Sequence, residues 1–162
     1  MVHYSYGVRL SWEIASMEAA NKKSQCIEVD HIMLGILSLD KLNYYEAEQN
    51  YPDIQRVLSE KEKLYRILDT NKIDITQYRR ELRNLLPEAN NPPVDNSYHR
   101  SSECKKAFTE AESLANNFLT INQLFVTILN SQSSEAKKLL NKKGIDTDKL
   151  KTDVLFSFYR NN

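Results

Sequence analysis

The sequence predicts an all-α fold, on three observations. Apolar residues recur at the helical period of 3.6 through most of the 162 residues. Only three glycines and four prolines punctuate the chain, too few for the many turns of a β-sandwich or barrel. The apolar pattern of the first half also returns in the second half at a fixed offset, the signature of a repeat.

The elements follow in order. A first helix over about 7–20 turns Val8, Trp12, Ala15 and Ala19 inward, and a second over about 30–39 carries Ile32, Met33, Ile36 and Leu37. A polar, aromatic stretch follows, holding Tyr44, Tyr45 and Tyr51. Pro52-Asp53 then opens a long third helix marked by Ile54, Val57, Leu58, Leu64, Ile67 and Leu68. A fourth helix spans about 75–86, because Pro87 cannot continue it and disfavours helical geometry in the residue before. Residues 87–98 form the one Pro/Asn-rich stretch, with the composition of a semi-extended linker. Four more helices are expected at about 101–116, 122–130, 134–142 and 148–159.

An offset of 92 superposes Ala15 on Ala107, Glu18-Ala19 on Glu110-Ala111, Ile27 on Leu119, Val29 on Ile121, Ile32 on Leu124 and Ile36-Leu37 on Ile128-Leu129. Farther along the offset becomes 72, pairing Ile67-Leu68 with Leu139-Leu140, Ile73-Asp74 with Ile145-Asp146, Tyr78 with Leu150 and Leu82 with Val154. The chain is therefore read as a single domain over 1–162, of eight helices in pseudo-twofold arrangement. Repeat one runs over about 5–86 and carries an insertion at about 40–63. The linker is 87–98, and repeat two covers about 99–160. Neither four-helix unit buries its apolar face alone, so pairing them completes one core and leaves a seam where pockets form.

Composition narrows the function. Apolar residues make up 41% and charged residues 27%, as in a globular domain, and a chain of this size buries roughly 70% of its unfolded surface. The 22 basic and 22 acidic residues cancel, so the net positive field behind non-specific nucleic-acid binding is missing and no nucleic-acid partner is expected. Lys105-Lys106, Lys137-Lys138 and Lys142-Lys143 are isolated pairs on solvated faces. No apolar run is long enough to span a bilayer. Residues 1–6 lack the basic segment and apolar stretch of a signal peptide, so no membrane association and a cytoplasmic location are the expectation. Cys26 and Cys104 lie far apart without CxxC spacing, and His3, His31 and His99 form no metal-ligand pattern, so no metal or cofactor is expected. His31 and the two thiols are read as structural. No nucleophile, base and orienting partner can be placed together, and no catalytic residue is assigned.

The segments Cys26-Ile27-Glu28-Val29-Asp30-His31-Ile32-Met33-Leu34-Gly35-Ile36-Leu37 and Phe118-Leu119-Thr120-Ile121-Asn122-Gln123-Leu124-Phe125-Val126-Thr127-Ile128-Leu129 resemble the two signature segments of the Clp N-terminal domain. Leu139-Leu140 with Gly144-Ile145-Asp146 and Leu150 is similar to that family's repeat ending. The resemblance implies a non-catalytic module that recruits substrate or adaptor proteins to AAA+ unfoldase rings joined in cis or met in trans, and so takes part in regulating proteolysis. The expected partners are unfolded or aggregated proteins, adaptors and the rings. The alternative is a free-standing regulator of such an unfoldase without rings. The chain itself lacks a phosphate-cradling P-loop, since Gly7, Gly35 and Gly144 cannot supply its spacing.

Several residues are candidates for partner contact. Asp30 and Asn122 occupy equivalent first-turn positions near exposed backbone N–H groups. In some relatives the matching acid, with a hydroxyl at the start of the first helix, helps bind phosphorylated arginine. The resemblance aligns Ser5 with that hydroxyl and Asp30 with the acid, and offers Ser97 as the hydroxyl beside Asn122. Helix capping is the competing role for these residues. Thr120 and Gln123 fit a capping box. Leu124 with Gln123 falls where relatives line an apolar groove, and Leu124 equally fits the core. Tyr44, Tyr45 and Tyr51 suit either partner contact or packing of the inserted loop.

Overall fold

The computed structural model describes residues 1–42 and 53–159. The described elements are β1 (His3–Tyr4), α1 (Tyr6–Asn21), α2 (Val29–Leu37), a 3-10 turn (Leu39–Lys41), α3 (Ile54–Thr70), α4 (Ile75–Leu85), α5 (Ser102–Leu114), β2 (Phe118–Leu119), α6 (Ile121–Asn130), α7 (Glu135–Lys142) and α8 (Thr147–Tyr159). The all-α expectation holds, with seven helices within two residues of their expected bounds and α3 opening directly after Pro52-Asp53, as the sequence signal had it. One of the larger differences is at the end of α2, which stops at Leu37 and leaves Leu39 to the 3-10 turn.

Helix starts are set by local chemistry. Ser5, Asp74, Ser101 and Ser134 each accept a backbone N–H with a side-chain oxygen at the entrance of α1, α4, α5 and α7. The third helix of each copy ends in the same way: Lys72 (φ 60°) and Gly144 (φ 75°), which the offset of 72 aligns, both take the left-handed conformation that closes a helix.

The core is one continuous cluster drawn from both copies. It includes Ile32, Ile36 and Leu37 of α2, Leu124, Phe125 and Ile128 of α6, Leu64 and Leu68 of α3, and Leu150 and Val154 of α8. The helix pair α1/α2 crosses so closely that a Cβ on Gly35 would overlap the Ser11 backbone carbonyl, so only glycine fits there. Polar groups stitch the copies to this core. The Tyr78 hydroxyl donates to the Ala136 carbonyl at 2.9 Å, and buried Arg79 donates to the Leu37 carbonyl and the Asp40 carboxylate, both at 2.7 Å. Arg79 thus satisfies the C-terminal end of α2, where a cation is favoured.

Two short backbone ladders were not anticipated. β1 pairs in parallel with β2, matching His3 with Phe118 and Tyr4 with Leu119. An isolated bridge joins Ile27 to Arg100. Two-residue pairings leave no periodic trace in a sequence, yet these two fix how the copies meet.

Candidate functional site

The ladders form two junctions related by the pseudo-twofold, and each crosses the copies. At the first, the Ser5 N–H donates to the Leu119 carbonyl at 2.9 Å, which sets the N-terminus of α1 beside that of α6. At the second, the Ile27 N–H donates to the His99 carbonyl at 2.8 Å and the Ser101 N–H to the Ile27 carbonyl at 3.0 Å, setting α2 beside α5. Each junction therefore brings the starts of two helices to one spot.

This crossing corrects the expected pairing. Ser5 lies at the junction that holds Asn122, whereas Asp30 belongs to the other. Ser97 does not serve as a helix-start hydroxyl either. It sits exposed in a turn, its N–H donating to the Asp95 carboxylate at 3.0 Å, and the cap of α5 is Ser101, whose hydroxyl accepts from the Cys104 N–H. The cap has slipped by about one helical turn from the position that the offset of 92 gives it. Leu124 is fully buried and Gln123 is 2% exposed, so both belong to the interior rather than to a groove. The capping box is present, with the Thr120 N–H donating to Gln123 Oε1 at 2.8 Å. Tyr44, Tyr45 and Tyr51 lie outside the described residues.

At the second junction Asp30 is 4% exposed and its carboxylate is fully engaged. Oδ1 accepts from the Ala136 N–H at 3.0 Å and the Ser134 hydroxyl at 3.2 Å, and Oδ2 accepts from the Glu135 N–H at 2.9 Å. Asp30 thus caps α7 from across the seam. Burial raises its pKa, and these three donors oppose the rise. Beside it, His31 and Glu28 form a second capping box that the sequence reading missed: His31 Nδ1 accepts from the Glu28 N–H at 3.0 Å, as Gln123 does for Thr120. Burial lowers the His31 pKa, against the pull of Glu28 and Glu18.

A recess of about 530 Å³ opens here between the copies, lined by residues of α2 and the loop before it, the start of α5, the segment leaving α4 and the start of α7. Four carboxylates border it, Glu28, Asp30, Glu103 and Glu135, and among the described residues no lysine or arginine lines it. Cys26 also faces it, with its thiol pKa pushed up to about 11 by burial and by Glu28.

The first junction is built differently. Glu60 of α3 reaches into it: Oε1 accepts from the Ser5 hydroxyl and from the Ile121 N–H, each at 2.7 Å, and the carboxylate lies against the Gly7 backbone. A Cβ on Gly7 would lie 2.6 Å from Glu60 Oε2. Burial raises the Glu60 pKa, and the Ile121 N–H and the Ser5 hydroxyl oppose the rise. Next to this carboxylate lies a recess of about 260 Å³ lined by Arg56, Ser59, Glu60, Lys63, Thr120 and Asn122. Asn122 is 4% exposed, and its Oδ1 has no hydrogen-bond partner among the described residues. Glu60 carries no sequence signal of its role, because its partners are brought to it only by the fold.

Among the described residues no group of three His, Cys, Asp or Glu side chains is placed to hold a metal ion, and no helix is long and apolar enough to cross a membrane.

Comparison with solved structures gives confident matches over nearly the whole chain. The N-terminal domain of Hsp104 from Candida albicans superposes with a TM-score of 0.66 at 13% identity, covering 94% of this chain and 89% of that one. The N-terminal domain of the caseinolytic protease associated chaperone ClpD from Arabidopsis thaliana gives 0.60 at 14% identity, covering 97% and 95%. No family model and no curated protein sequence matches the chain.

Proposed function

We propose, from a fold shared with the N-terminal domains of Clp-type chaperones, that this chain is a non-catalytic protein-binding module. It recruits substrate or adaptor proteins to an AAA+ unfoldase, in cis or in trans, and so helps to regulate unfolding and proteolysis in the cytoplasm. The observation that carries the reading is the seam. Two copies with a common core leave a concave, acid-bordered recess of about 530 Å³ at the second junction, a place where two units typically offer a binding cleft. The carboxylates at its rim favour lysine, arginine and backbone N–H donors of an extended polypeptide. A module that hands its cargo on needs short residence, so the affinity belongs in the micromolar range, about −8 kcal/mol.

The test is fluorescence anisotropy of the 162-residue chain against labelled lysozyme kept unfolded by reduction and carbamidomethylation. Saturable binding near micromolar is expected, weakened at least about five-fold in Glu103→Lys/Glu135→Lys, whose side chains border the recess. Absence of saturable binding, or binding indifferent to both charge reversals, would overturn the reading.

A further inference from the structure

The two junctions carry their acids on opposite partners. At the second, the acid sits on a second helix (Asp30 on α2) and the N–H donors come from the start of α7. At the first, the donors come from the starts of α1 and α6, and the acid comes from the third helix, Glu60 on α3. The cause is helix length. α3 has 17 residues and α7 has eight. The offset of 72 pairs Lys63 and Leu64 with Glu135 and Ala136, the residues whose N–H groups Asp30 accepts. In α3 those positions lie mid-helix, where N–H groups already bond within the helix. An acid at Asn122 would find no donor there. Its place is taken by an amide whose Oδ1 is left without a partner among the described residues, and the extra turns of α3 deliver Glu60 to the helix starts instead.

We infer that the first junction is an oxyanion-binding cradle and that Glu60 is its built-in ligand. Two donors converge on one carboxylate oxygen, the Ser5 hydroxyl and the Ile121 N–H, at the positive ends of two helices, with the Gly7 backbone against the same carboxylate. Gly7 leaves the room: the three atoms nearest a Cβ placed there all belong to the Glu60 carboxylate. The adjoining recess has Arg56 and Lys63 at its border and buried Asn122 in its lining, so a small anion reaches the cradle past cations. With Glu60 seated the cradle is closed to outside carboxylates and phosphates, and partner binding falls to the second junction alone. Only that last clause rests on the recruitment reading.

Formate and inorganic phosphate are the probes. Glu60→Ala is expected to melt lower than the parent chain and to recover with formate in a saturable way, binding it at least about ten-fold more tightly than the parent does. Sodium chloride at the same ionic strength should give no such recovery. On the parent chain itself, the Gly7 and Ile121 amide resonances should titrate together with one shared carboxyl group and stay unmoved by formate. No saturable recovery in Glu60→Ala, equal recovery in the parent, or independent titration of the two amides would overturn the inference. Should Glu60→Ala fail to fold, the amide titration on the parent decides. If the cradle behaves as stated and unfolded lysozyme still fails to bind, the recruitment reading falls and the cradle stands.

Discussion

Gly7 and Glu60 offer a double-mutant cycle whose outcome follows from the geometry. Gly7 sits in the first turn of α1 without a positive φ, so alanine suits its backbone, and in a helix Ala is favoured over Gly by about 1 kcal/mol. What opposes alanine is one side chain. The built Cβ would lie 2.6, 2.8 and 3.1 Å from Oε2, Cδ and Oε1 of Glu60, and these are its three nearest atoms. Gly7→Ala alone must push the carboxylate out of its cradle, and a hydrogen bond to a charged group contributes about 1.5–3 kcal/mol. Losing most of two such bonds outweighs the propensity gain, so the single change should cost about 2–3 kcal/mol. In a Glu60→Ala background the clash is gone, and Gly7→Ala becomes neutral or stabilising by up to about 1 kcal/mol. The coupling energy is then about 3 kcal/mol, far above the ~0.5 kcal/mol scatter of independent sites. Urea denaturation at a shared slope measures all four corners. Equal effects of Gly7→Ala in both backgrounds would refute the reasoning.

Gly35→Ala differs in kind, because its obstacle is the Ser11 backbone carbonyl; truncating side chains cannot relieve it, and thermal unfolding should fall by more than about 5 °C. Asp30→Ala removes the cap of α7 from across the seam and should cost about 2–4 kcal/mol, with hydrogen exchange at Glu135 and Ala136 accelerated first; unchanged protection at those amides would refute the assignment. His31 must be neutral at Nδ1 to accept the Glu28 N–H, and burial lowers its pKa below the usual 6.5. A depressed folded pKa gives stability that is present above about 6.5 and lost as pH falls through the folded value. Urea midpoints should therefore drop from about pH 7.5 towards about pH 5.5, and the drop should flatten in His31→Gln; identical slopes in both proteins would remove His31 as the cause.

Much of the fold was legible because helices advertise themselves. The inward stripes of α1 and α2, Pro87 ending α4 and the Ser134 and Thr120 starts are all local signals, and local signals survive without knowledge of contacts. The offset of 92 carried the second copy onto the first along apolar positions that do become the core, such as Ile32 with Leu124 and Ile36 with Ile128. The same offset misplaced the α5 cap, since moving a helix start by one turn leaves the apolar stripe intact and so leaves no mark on the pattern. The resemblance offered Ser97 as the hydroxyl beside Asn122, whereas Ser101 is the cap. The pairing of the candidate residues was hidden for a different reason. Pairing Ser5 with Asp30 assumed that each copy completes its own site, but the β1/β2 pairing and the Ile27–Arg100 bridge exchange the partners, and two-residue ladders have no readable period. Glu60 was invisible on every count: an acid on the polar side of a long helix looks like solvated surface until the fold brings two helix starts to it.

The divergence of the junctions also bears on how a duplicated domain comes to have two unlike recesses. Each junction must satisfy N–H groups that the seam removes from water, and an unsatisfied buried group costs about 1–3 kcal/mol. A carboxylate meets that need from either side of the seam, which leaves the choice of donor helix open. At the second junction Asp30 directs its oxygens to α7, while Ser101 caps α5 with its own hydroxyl, so the surrounding Glu28, Glu103 and Glu135 keep a negative border beside an open recess. At the first junction the longer α3 supplies the acid, the recess is about half as large, and Arg56 and Lys63 stand at its border. Two equivalent junctions thus differ both in the length of the helix that meets them and in the charge of their rims. Shortening α3 alone would not restore the symmetry, because Asn122 has no charge with which to receive a freed helix start; the pair of changes, a shorter α3 and Asn122→Asp, is what the structure of the second junction requires.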